Sequence, residues 1–173
     1  DTVVYSRFYD FSFVNVSTDG GDSFDQAAVP NSGNNYDHSL LVSGTNIYIV
    51  SRYSAANQRL YFYRSSDLGT TFEDTLIDDT LDGNYECDLA MTDDGTMVVC
   101  YYDSGTSNQK FARSTDQGDT WTVTDTIDQS GNDVGRYCDI AATGDRVFIS
   151  YFDATDGALK VARSLDGGVT WAD

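Results

Sequence analysis

Short apolar runs alternate with polar clusters along the whole chain, and no part of it has the 3.6-residue periodicity of an amphipathic helix. The runs are rich in β-branched and aromatic residues and are separated by Gly, Asp, Asn and Ser, which is typical of short strands joined by turns. In the best-defined region these runs are residues 87–91, 97–102, 110–114 and 120–124. This pattern predicts an all-β protein built from groups of four strands.

An eight-residue motif, which we call a box, joins the third and fourth runs of each group. Its copies lie 48, 49 and 50 residues apart. They are STDGGDSF from Ser17, SSDLGTTF from Ser65, STDQGDTW from Ser114 and SLDGGVTW from Ser164. Self-similarity at this period indicates a repeated supersecondary unit. Four-stranded units that repeat radially form a β-propeller.

The residue types of the box predict a hairpin turn. Asp116 can accept hydrogen bonds from backbone N–H groups of the turn, and Gly118 supplies a conformation that a Cβ would obstruct. Trp121 is expected to fold under the hairpin into the core between sheets. We therefore interpret the box residues as structural: Asp19, Gly21, Phe24, Asp67, Gly69, Phe72, Asp116, Gly118, Trp121, Asp166, Gly168 and Trp171.

The four copies resemble the Asp-box, or BNR repeat, S/T-x-D-x-G-x-T-W/F. The resemblance covers nearly the whole chain and implies a sialidase-like β-propeller of four-stranded antiparallel blades with Asp-box hairpins. In that family the boxes lie at the periphery, away from the active site.

The repeat predicts one partial propeller domain over residues 1–173, about half a ring. Its predicted divisions are a partial blade (1–30), two blades (31–80 and 81–130) and a partial blade (131–173). When Tyr5 is aligned with Tyr102, the first unit lacks its innermost strand and half of its second. We expect the remaining blades to come from the same longer chain or from another copy.

The formal net charge of −18 excludes some partners. So acidic a surface repels phosphate backbones, which argues against nucleic-acid binding. No run approaches the roughly 18 apolar residues of a membrane helix, so we expect no membrane insertion. The charge fits a soluble protein, and we expect an extracellular or secreted location.

Loops on the face opposite the boxes are the expected binding region, because long loops on a rigid scaffold usually carry function. Residues that recur from blade to blade are interpreted as framework: Tyr5, Tyr53, Tyr102, Phe152, Asp103, Asp153, Arg64, Arg113 and Arg163. Four residues near the channel mouth do not recur and are the candidate binding residues, for a glycan or protein ligand: His38, Arg52, Glu86 and Arg136.

Two functions stay open. The first is a non-catalytic binding or scaffold module, which needs only blades and loops. The second is a sialidase-like glycoside hydrolase with part of its catalytic set in missing blades. The resemblance implies three arginines, a tyrosine nucleophile with a glutamate, and an acidic residue for such an enzyme. Arg7, Arg52 and Arg136 could supply the guanidinium groups. Tyr85 and Glu86 are adjacent in sequence, however, so on a strand their side chains would point to opposite faces of the sheet.

Metal and disulfide chemistry are expected to be secondary. A third hypothesis is a calcium-stabilised, adhesin-like domain, because Asp78, Asp79 and Asp82 resemble the front of an Asp-rich calcium loop. No other cofactor is expected. The cysteines are Cys87, Cys100 and Cys138. They are expected to be free thiols, because sheets packed about 10 Å apart exceed the usual disulfide Cα range of about 4.4–6.8 Å.

Overall fold

The computed structural model describes residues 2–9, 11–33, 37–54, 58–82 and 86–172. All the regular elements in these ranges are β-strands. They form four separate antiparallel sheets, two of three strands and two of four. The prediction of an all-β chain of propeller blades is thereby confirmed. No helix long and apolar enough to cross a membrane occurs in the described ranges.

Each sheet is one blade, and its strands follow one another in space in chain order. The first blade contains β1 (Val3–Tyr9), β2 (Phe11–Ser17) and β3 (Asp25–Gly33). The second contains β4 (His38–Ser43), β5 (Asn46–Ser54), β6 (Gln58–Ser65) and β7 (Glu73–Leu81). The third contains β8 (Cys87–Met91), β9 (Met97–Asp103), β10 (Asn108–Ser114) and β11 (Thr122–Thr124). The fourth contains β12 (Val134–Thr143), β13 (Arg146–Asp153) and β14 (Ala158–Ser164).

The strand register corrects the sequence-based alignment of the first blade. Val3 pairs with Ser17 as Met97 pairs with Ser114, so β1 is a full-length second strand. The expectation that half of this strand is missing is wrong. The expectation failed because the β1–β2 hairpin is shorter than its counterparts. Counting a fixed number of residues back from the box therefore reaches a position too early in the second strand.

The opposite effect displaces Tyr53 in the second blade. Arg52 pairs with Leu60 and Tyr102 with Gln109, and both partners lie five residues before the serine of a box. Arg52, not Tyr53, therefore holds the position of Tyr102. Arg52 lies eight residues before its partner Leu60, whereas Tyr102 lies seven before Gln109, so the β5–β6 hairpin is one residue longer at this register and counting back from the box stops one residue short.

The Ser114 box is closed by hydrogen bonds to two side chains. Gly118 N–H donates to Ser114 Oγ at 2.8 Å, and Ser114 Oγ donates to Asp116 Oδ1 at 2.7 Å. Thr120 donates its hydroxyl to Asp116 Oδ2 at 2.6 Å and its N–H to Oδ1 at 2.9 Å. The Thr120 bonds and then the Ser114 hydroxyl lower the pKa of Asp116 to about 2. The same bonds recur around Asp19, Asp67 and Asp166.

The box also packs against the preceding blade. A Cβ on Gly118 would overlap the ring of Phe62 in the second blade. Trp121 meets that ring edge-to-face, with centroids 5.1 Å apart. Glycine therefore lets the hairpin close on an aromatic ring of its neighbour. The next junction repeats the contact with Gly168, Phe111 and Trp171.

Arginines just before two boxes extend the same junctions. Arg64 donates to Gln117 O at 3.3 Å and pairs with Asp119 at 2.7 Å, both in the next box. Arg113 donates to Gly167 O at 2.8 Å in the box after its own. These recurring arginines thus join blades in addition to covering sheet surface.

The hydrophobic core lies between blades rather than inside one sheet. One cluster joins the first and second blades through residues such as Val14 and Ile47. A second joins blades two and three, and includes Phe62 and Cys87. A third joins blades three and four, and includes Phe111. Each blade is therefore stabilised by its neighbours.

A buried ion pair crosses the junction between the second and third blades. Lys110 Nζ donates to Asp78 Oδ2 at 2.8 Å, and Tyr101 OH donates to the same oxygen at 2.9 Å. The side chains of Lys110 and Asp78 are 3% and 4% exposed. The next junction repeats the arrangement with Lys160, Asp128 and Tyr151.

This ion pair argues against the calcium-loop hypothesis for Asp78, Asp79 and Asp82. The carboxylate of Asp78 is occupied by an ammonium group and by the hydroxyl of Thr80 at 2.6 Å. In the described ranges no group of three acidic, histidine or cysteine side chains is arranged to hold a metal ion.

The cysteine spacing argument is wrong for one pair. All three cysteines are buried free thiols in the structure. The Sγ atoms of Cys100 in β9 and Cys138 in β12 nevertheless lie 2.9 Å apart. Second and innermost strands of adjacent blades converge here far more closely than the average sheet spacing.

We expect Gly118→Ala to destabilise the fold much more than Gly95→Ala. The two glycines have φ of 92° and 87°, so each alanine costs about 1–2 kcal/mol in backbone strain. Only the Gly118 variant also overlaps Phe62, which adds about 1–3 kcal/mol, since nothing lies within 4 Å of a Cβ at Gly95. Urea unfolding of both variants measures the difference. Equal losses would contradict the inter-blade role of the box.

We expect Asp78→Asn to lower the free energy of unfolding by about 3 kcal/mol at neutral pH, because it leaves the Lys110 ammonium buried without its closest partner. Asp125→Asn is the matched control: this carboxylate lies 3.6 Å from the same ammonium but is 88% exposed. Its loss should stay below about 0.5 kcal/mol.

The effect of Asp78→Asn should depend on pH. Burial alone raises the pKa of Asp78, but hydrogen bonds from Lys110 and Thr80 outweigh burial and lower it below the usual 3.8. The stability from this carboxylate is therefore complete above about pH 4 and is lost as the pH falls through the lowered pKa. Urea titrations should show the variant approaching the wild type below pH 4. A difference that persists unchanged at low pH would contradict this assignment.

Candidate functional site

The face opposite the boxes gathers loops from the third and fourth blades. Val134 N–H donates to Ser107 O at 3.1 Å, which ties the inter-blade link to the β9–β10 loop. Ala154 N–H donates to Asp133 O at 2.8 Å, which ties the same link to the β13–β14 loop. These backbone bonds make one fixed surface out of three connections.

An irregular start to β12 shapes this surface. The register with β13 shifts twice, between Val134 and Arg136 and between Arg136 and Asp139. Gly135 begins the irregularity with φ 113°, and a Cβ there would lie 2.7 Å from Gln109 Cα. Bulges of this kind turn side chains out of the ladder and are common beside functional sites. Here both Arg136 and Tyr137 become exposed.

A cleft of roughly 310 Å³ lies beside this bulge. Its walls combine aromatic rings, hydroxyls, carboxylates and one guanidinium group. The residues are Glu86, Tyr102, Ser104, Ser107, Asp133, Arg136 and Tyr137. Two of the four candidate binding residues from the sequence, Glu86 and Arg136, therefore meet in one place.

Tyr137 has the least usual conformation in the cleft. Its φ is 56°, a left-handed value that is a genuine outlier for a bulky side chain. Tyr137 is nevertheless 72% exposed, and its ring centroid lies 6.4 Å from that of Phe152. Its N–H donates to Glu86 Oε2 at 3.3 Å. The backbone thus holds an aromatic ring in solvent at a cost in strain, which is a mark of a functional position.

The floor of the cleft is a small polar network. Arg136 Nη2 donates to Asp133 Oδ2 at 2.6 Å, and Tyr102 OH donates to Asp133 Oδ1 at 2.7 Å. The Arg136 guanidinium also lies 5.6 Å from the centre of the Tyr102 ring. Burial, with the hydrogen bond to Asp133, raises the pKa of Tyr102, so this phenol is a neutral donor at physiological pH. The network fixes the orientation of Arg136.

The other two candidates lie in the second blade. Arg52 is buried and donates from Nε and Nη2 to Gln58 Oε1 at 2.8 and 2.6 Å. His38 is half-buried at the start of β4, and burial lowers its pKa. The structure therefore does not bring His38 and Arg52 into the cleft with Arg136.

A carboxyl group missed by the sequence analysis lies between the two pairs. Burial, and then the negative charge of Glu86, raise the pKa of Asp37 to about 6. Asp37 O also accepts hydrogen bonds from Arg52 N–H and from the Ser51 hydroxyl, both at 3.2 Å. A carboxyl group with a pKa near neutrality can act as a proton donor or acceptor.

A second carboxylate pair lies one step farther along the innermost strands. Ser39 Oγ donates to Asp88 Oδ1 at 2.6 Å, and Ile140 N–H donates to Asp88 Oδ2 at 2.9 Å. A hydrogen bond with Asp88, together with burial, raises the pKa of Asp139. These contacts join three consecutive innermost strands, which gives them a structural role.

The described residues do not assemble a three-arginine carboxylate clamp. Arg52 is held by Gln58 and Arg136 by Asp133. The side chain of Arg7, and Tyr85 as a whole, lie outside the described part of the chain. Tyr102, the tyrosine in the cleft floor, has a raised pKa, which is the wrong direction for an activated nucleophile.

Two sequence signals could have identified the residues that were missed. Gly135 directly before Arg136 and Tyr137 marks a bulge, and it has no equivalent in the other blades. Asp37 and Glu86 are acidic residues at matching positions directly before β4 and β8, and the corresponding residue of the fourth blade, inside β12, is Tyr137.

Comparison with known proteins places the fold. No family model and no curated protein matches the chain. Among solved structures, the Hadza microbial sialidase Hz136 superposes with a TM-score of 0.67 at 17% identity, over 99% of this chain and 43% of that protein. A Dyadobacter fermentans protein of unknown function gives 0.66 at 17% identity, over 94% of this chain and 56% of that one. A xylan β-1,4-xylosidase from Bacillus halodurans gives 0.58 at 11% identity, over 98% of this chain and 38% of that one.

These similarities establish a sialidase-like β-propeller fold, as the resemblance implied. The chain spans between 38% and 56% of the length of the three proteins. At such identities the likeness extends to the fold alone, so activity has to be argued from the cleft.

Proposed function

We propose that this chain is a non-catalytic, extracellular β-propeller module that binds a glycan in the cleft beside Tyr137. The observation that carries the proposal is the exposed Tyr137 ring, held at a strained backbone position within reach of carboxylates and hydroxyls. An aromatic ring can pack against the apolar C–H face of a sugar, while carboxylates accept hydrogen bonds from sugar hydroxyls. Glu86, Asp133, Ser104 and Ser107 supply the polar groups.

The charge of the cleft favours a neutral or amino sugar over an anionic one. Arg136 is already paired with Asp133, and Glu86 adds a further negative charge. The whole chain has a formal charge of −18, which repels anionic ligands. Among the proteins of this fold, a sialidase and a xylosidase act on different sugars, so the fold does not require sialic acid as the ligand.

A glycoside hydrolase is the second candidate, supported by one observation. Asp37, with a pKa raised to about 6, lies close enough to Glu86 for the two charges to interact. Hydrolysis needs two carboxyl groups of different protonation state around the scissile bond. Asp37 as acid and Glu86 as base would meet that need if a sugar reached both.

The test is a glycan array followed by calorimetry with the 173-residue chain. We expect binding to neutral or amino glycans, and a loss of affinity of about tenfold or more in Tyr137→Ala. Leu165→Ala is the matched control, since Leu165 is an exposed apolar residue in the box turn of the fourth blade, outside the cleft. It should bind like the wild type. Unchanged affinity in Tyr137→Ala, or a preference for sialylated glycans, would contradict the proposal.

Two additions separate binding from catalysis and from misfolding. Tyr137→Gly removes the ring and also the strain of the positive φ, so it should bind as weakly as Tyr137→Ala while unfolding at a higher temperature. Bound glycans are also assayed for released reducing ends. Release that Asp37→Asn abolishes would establish the hydrolase instead.

We also propose that the outer faces of the first and fourth blades pack against further blades, from the same longer chain or from another copy. The support is a change of exposure at one repeated position. Phe62 and Phe111 are 1% exposed three residues before their boxes, whereas Val161 at that position in the fourth blade is 52% exposed. Leu159 and Phe148 beside it, and Val3 and Tyr5 in the first blade, are also exposed.

Sedimentation velocity tests this partner proposal. We expect the 173-residue chain to self-associate through these faces and Val161→Asp to weaken the association strongly. Val169→Asp is the control, because Val169 is an exposed valine in the box turn of the same blade. A dimer of fixed size indicates a second copy, whereas open-ended association indicates blades of a longer chain. A chain that remains monomeric at high concentration would contradict the proposal.

A further inference from the structure

Two of the three cysteines meet across the junction between the third and fourth blades. Cys100 lies in β9 and Cys138 in β12, 38 residues apart in sequence, and their Sγ atoms are 2.9 Å apart. A disulfide bond is about 2.05 Å long, so an approach of less than about 1 Å separates these thiols from a covalent bond. The strands already converge, which means that bonding requires no rearrangement of the blades.

The pair is buried in the core between two blades, with the Asp88 carboxylate on the neighbouring strand as a charged group near Cys100. Cys100 and Cys138 belong to the core cluster formed with Phe111, Ile140 and Tyr151 between these two blades. Both side chains are buried. A thiol pair in such a site gains nothing from solvent, whereas a disulfide is a well-tolerated apolar group that crosslinks two blades.

The third cysteine faces a different junction. Cys87 belongs to the cluster between the second and third blades, where its sulfur lies 4.0 Å from Val50 O. Side chains alternate between the two faces of a sheet, so Cys87 faces the second blade and Cys100 faces the fourth. The geometry therefore selects one pair out of three combinations and leaves Cys87 as an internal control.

We infer that Cys100 and Cys138 form a disulfide that covalently joins the third and fourth blades, and that Cys87 stays reduced. The oxidant is a disulfide of the glutathione class or a disulfide oxidoreductase. One Cys100 or Cys138 thiolate attacks the oxidant and displaces its first thiol, and the second thiolate then attacks the mixed disulfide and displaces the second thiol. The protein loses two protons and two electrons, and the oxidant gains them as two thiols.

The bond forms while the fourth blade docks rather than afterwards. In the folded chain, burial and then the contact with Cys138 raise the pKa of Cys100, so little of this residue is present as thiolate. Burial also keeps an oxidant from reaching the sulfur atom. Before docking, both thiols are accessible and have ordinary reactivity. Once the junction closes, the same burial protects the disulfide from reductants. The crosslink thus acts as a permanent staple of the junction that carries the Tyr137 cleft.

The experiment refolds the reduced 173-residue chain in a buffer of reduced and oxidised glutathione. The product is then denatured without reductant, labelled with N-ethylmaleimide and weighed by mass spectrometry. We expect one label, on Cys87, and a crosslinked peptide that contains Cys100 and Cys138. Three labels, or a crosslink that includes Cys87, would overturn the inference.

Matched variants keep the result interpretable. Cys87→Ser should give no label at all, because its remaining cysteines are bonded. Cys100→Ser should give two labels, on Cys87 and Cys138. The thermal midpoint of the wild type should be on the order of 10 °C higher in the oxidised than in the reduced form, as expected for a crosslink that closes a loop of this length. The midpoint of Cys100→Ser should not depend on the redox buffer, and a dependence there would count against the assigned pair.

Discussion

The second, third and fourth blades of this propeller are held together by two aromatic rings, each of which closes on a glycine of the next blade. Gly118 and Gly168 leave room for Phe62 and Phe111 of the preceding blades, and a box aromatic covers each ring. A single four-stranded sheet has two apolar faces and cannot bury either of them alone. The fold therefore depends on the repeated junction, and the hydrogen bonds inside each box serve to hold the glycine and the aromatic residue in position.

The junction between the third and fourth blades carries more than packing. The ion pair of half-buried Lys160 with buried Asp128 links the two blades through β14, and the Cys100–Cys138 contact links β9 to β12. These two contacts stabilise the junction that contains Tyr137. Together with the surrounding packing they outweigh the strain of its left-handed backbone conformation, which is about 1–2 kcal/mol. A rigid junction with one strained, exposed aromatic residue is a framework well suited to recognising a ligand.

Differences between blades point to function more clearly than similarities do. Box residues recur because every junction needs them, and a single binding site does not repeat. The bulge at Gly135 lies in the fourth blade, and beside it Glu86, Arg136 and Tyr137 meet. Arg52 is also unique in type, yet Gln58 and burial show that it belongs to the framework. A residue that does not recur in the sequence can therefore be assigned a role only once its burial and its hydrogen-bond partners are known.

The sequence by itself determined the strands, the blade repeat and the box turns, because those depend on residues within about ten positions of one another. It also named Glu86 and Arg136 as candidates, and both line one cleft of the structure. Only the tertiary structure decided which strand positions correspond, since hairpin lengths differ by one to three residues and shift Tyr5 and Tyr53. It alone paired Lys110 with Asp78 and Cys100 with Cys138. Those contacts join residues 32 and 38 positions apart, and their distances follow from how blades converge, which no local pattern encodes.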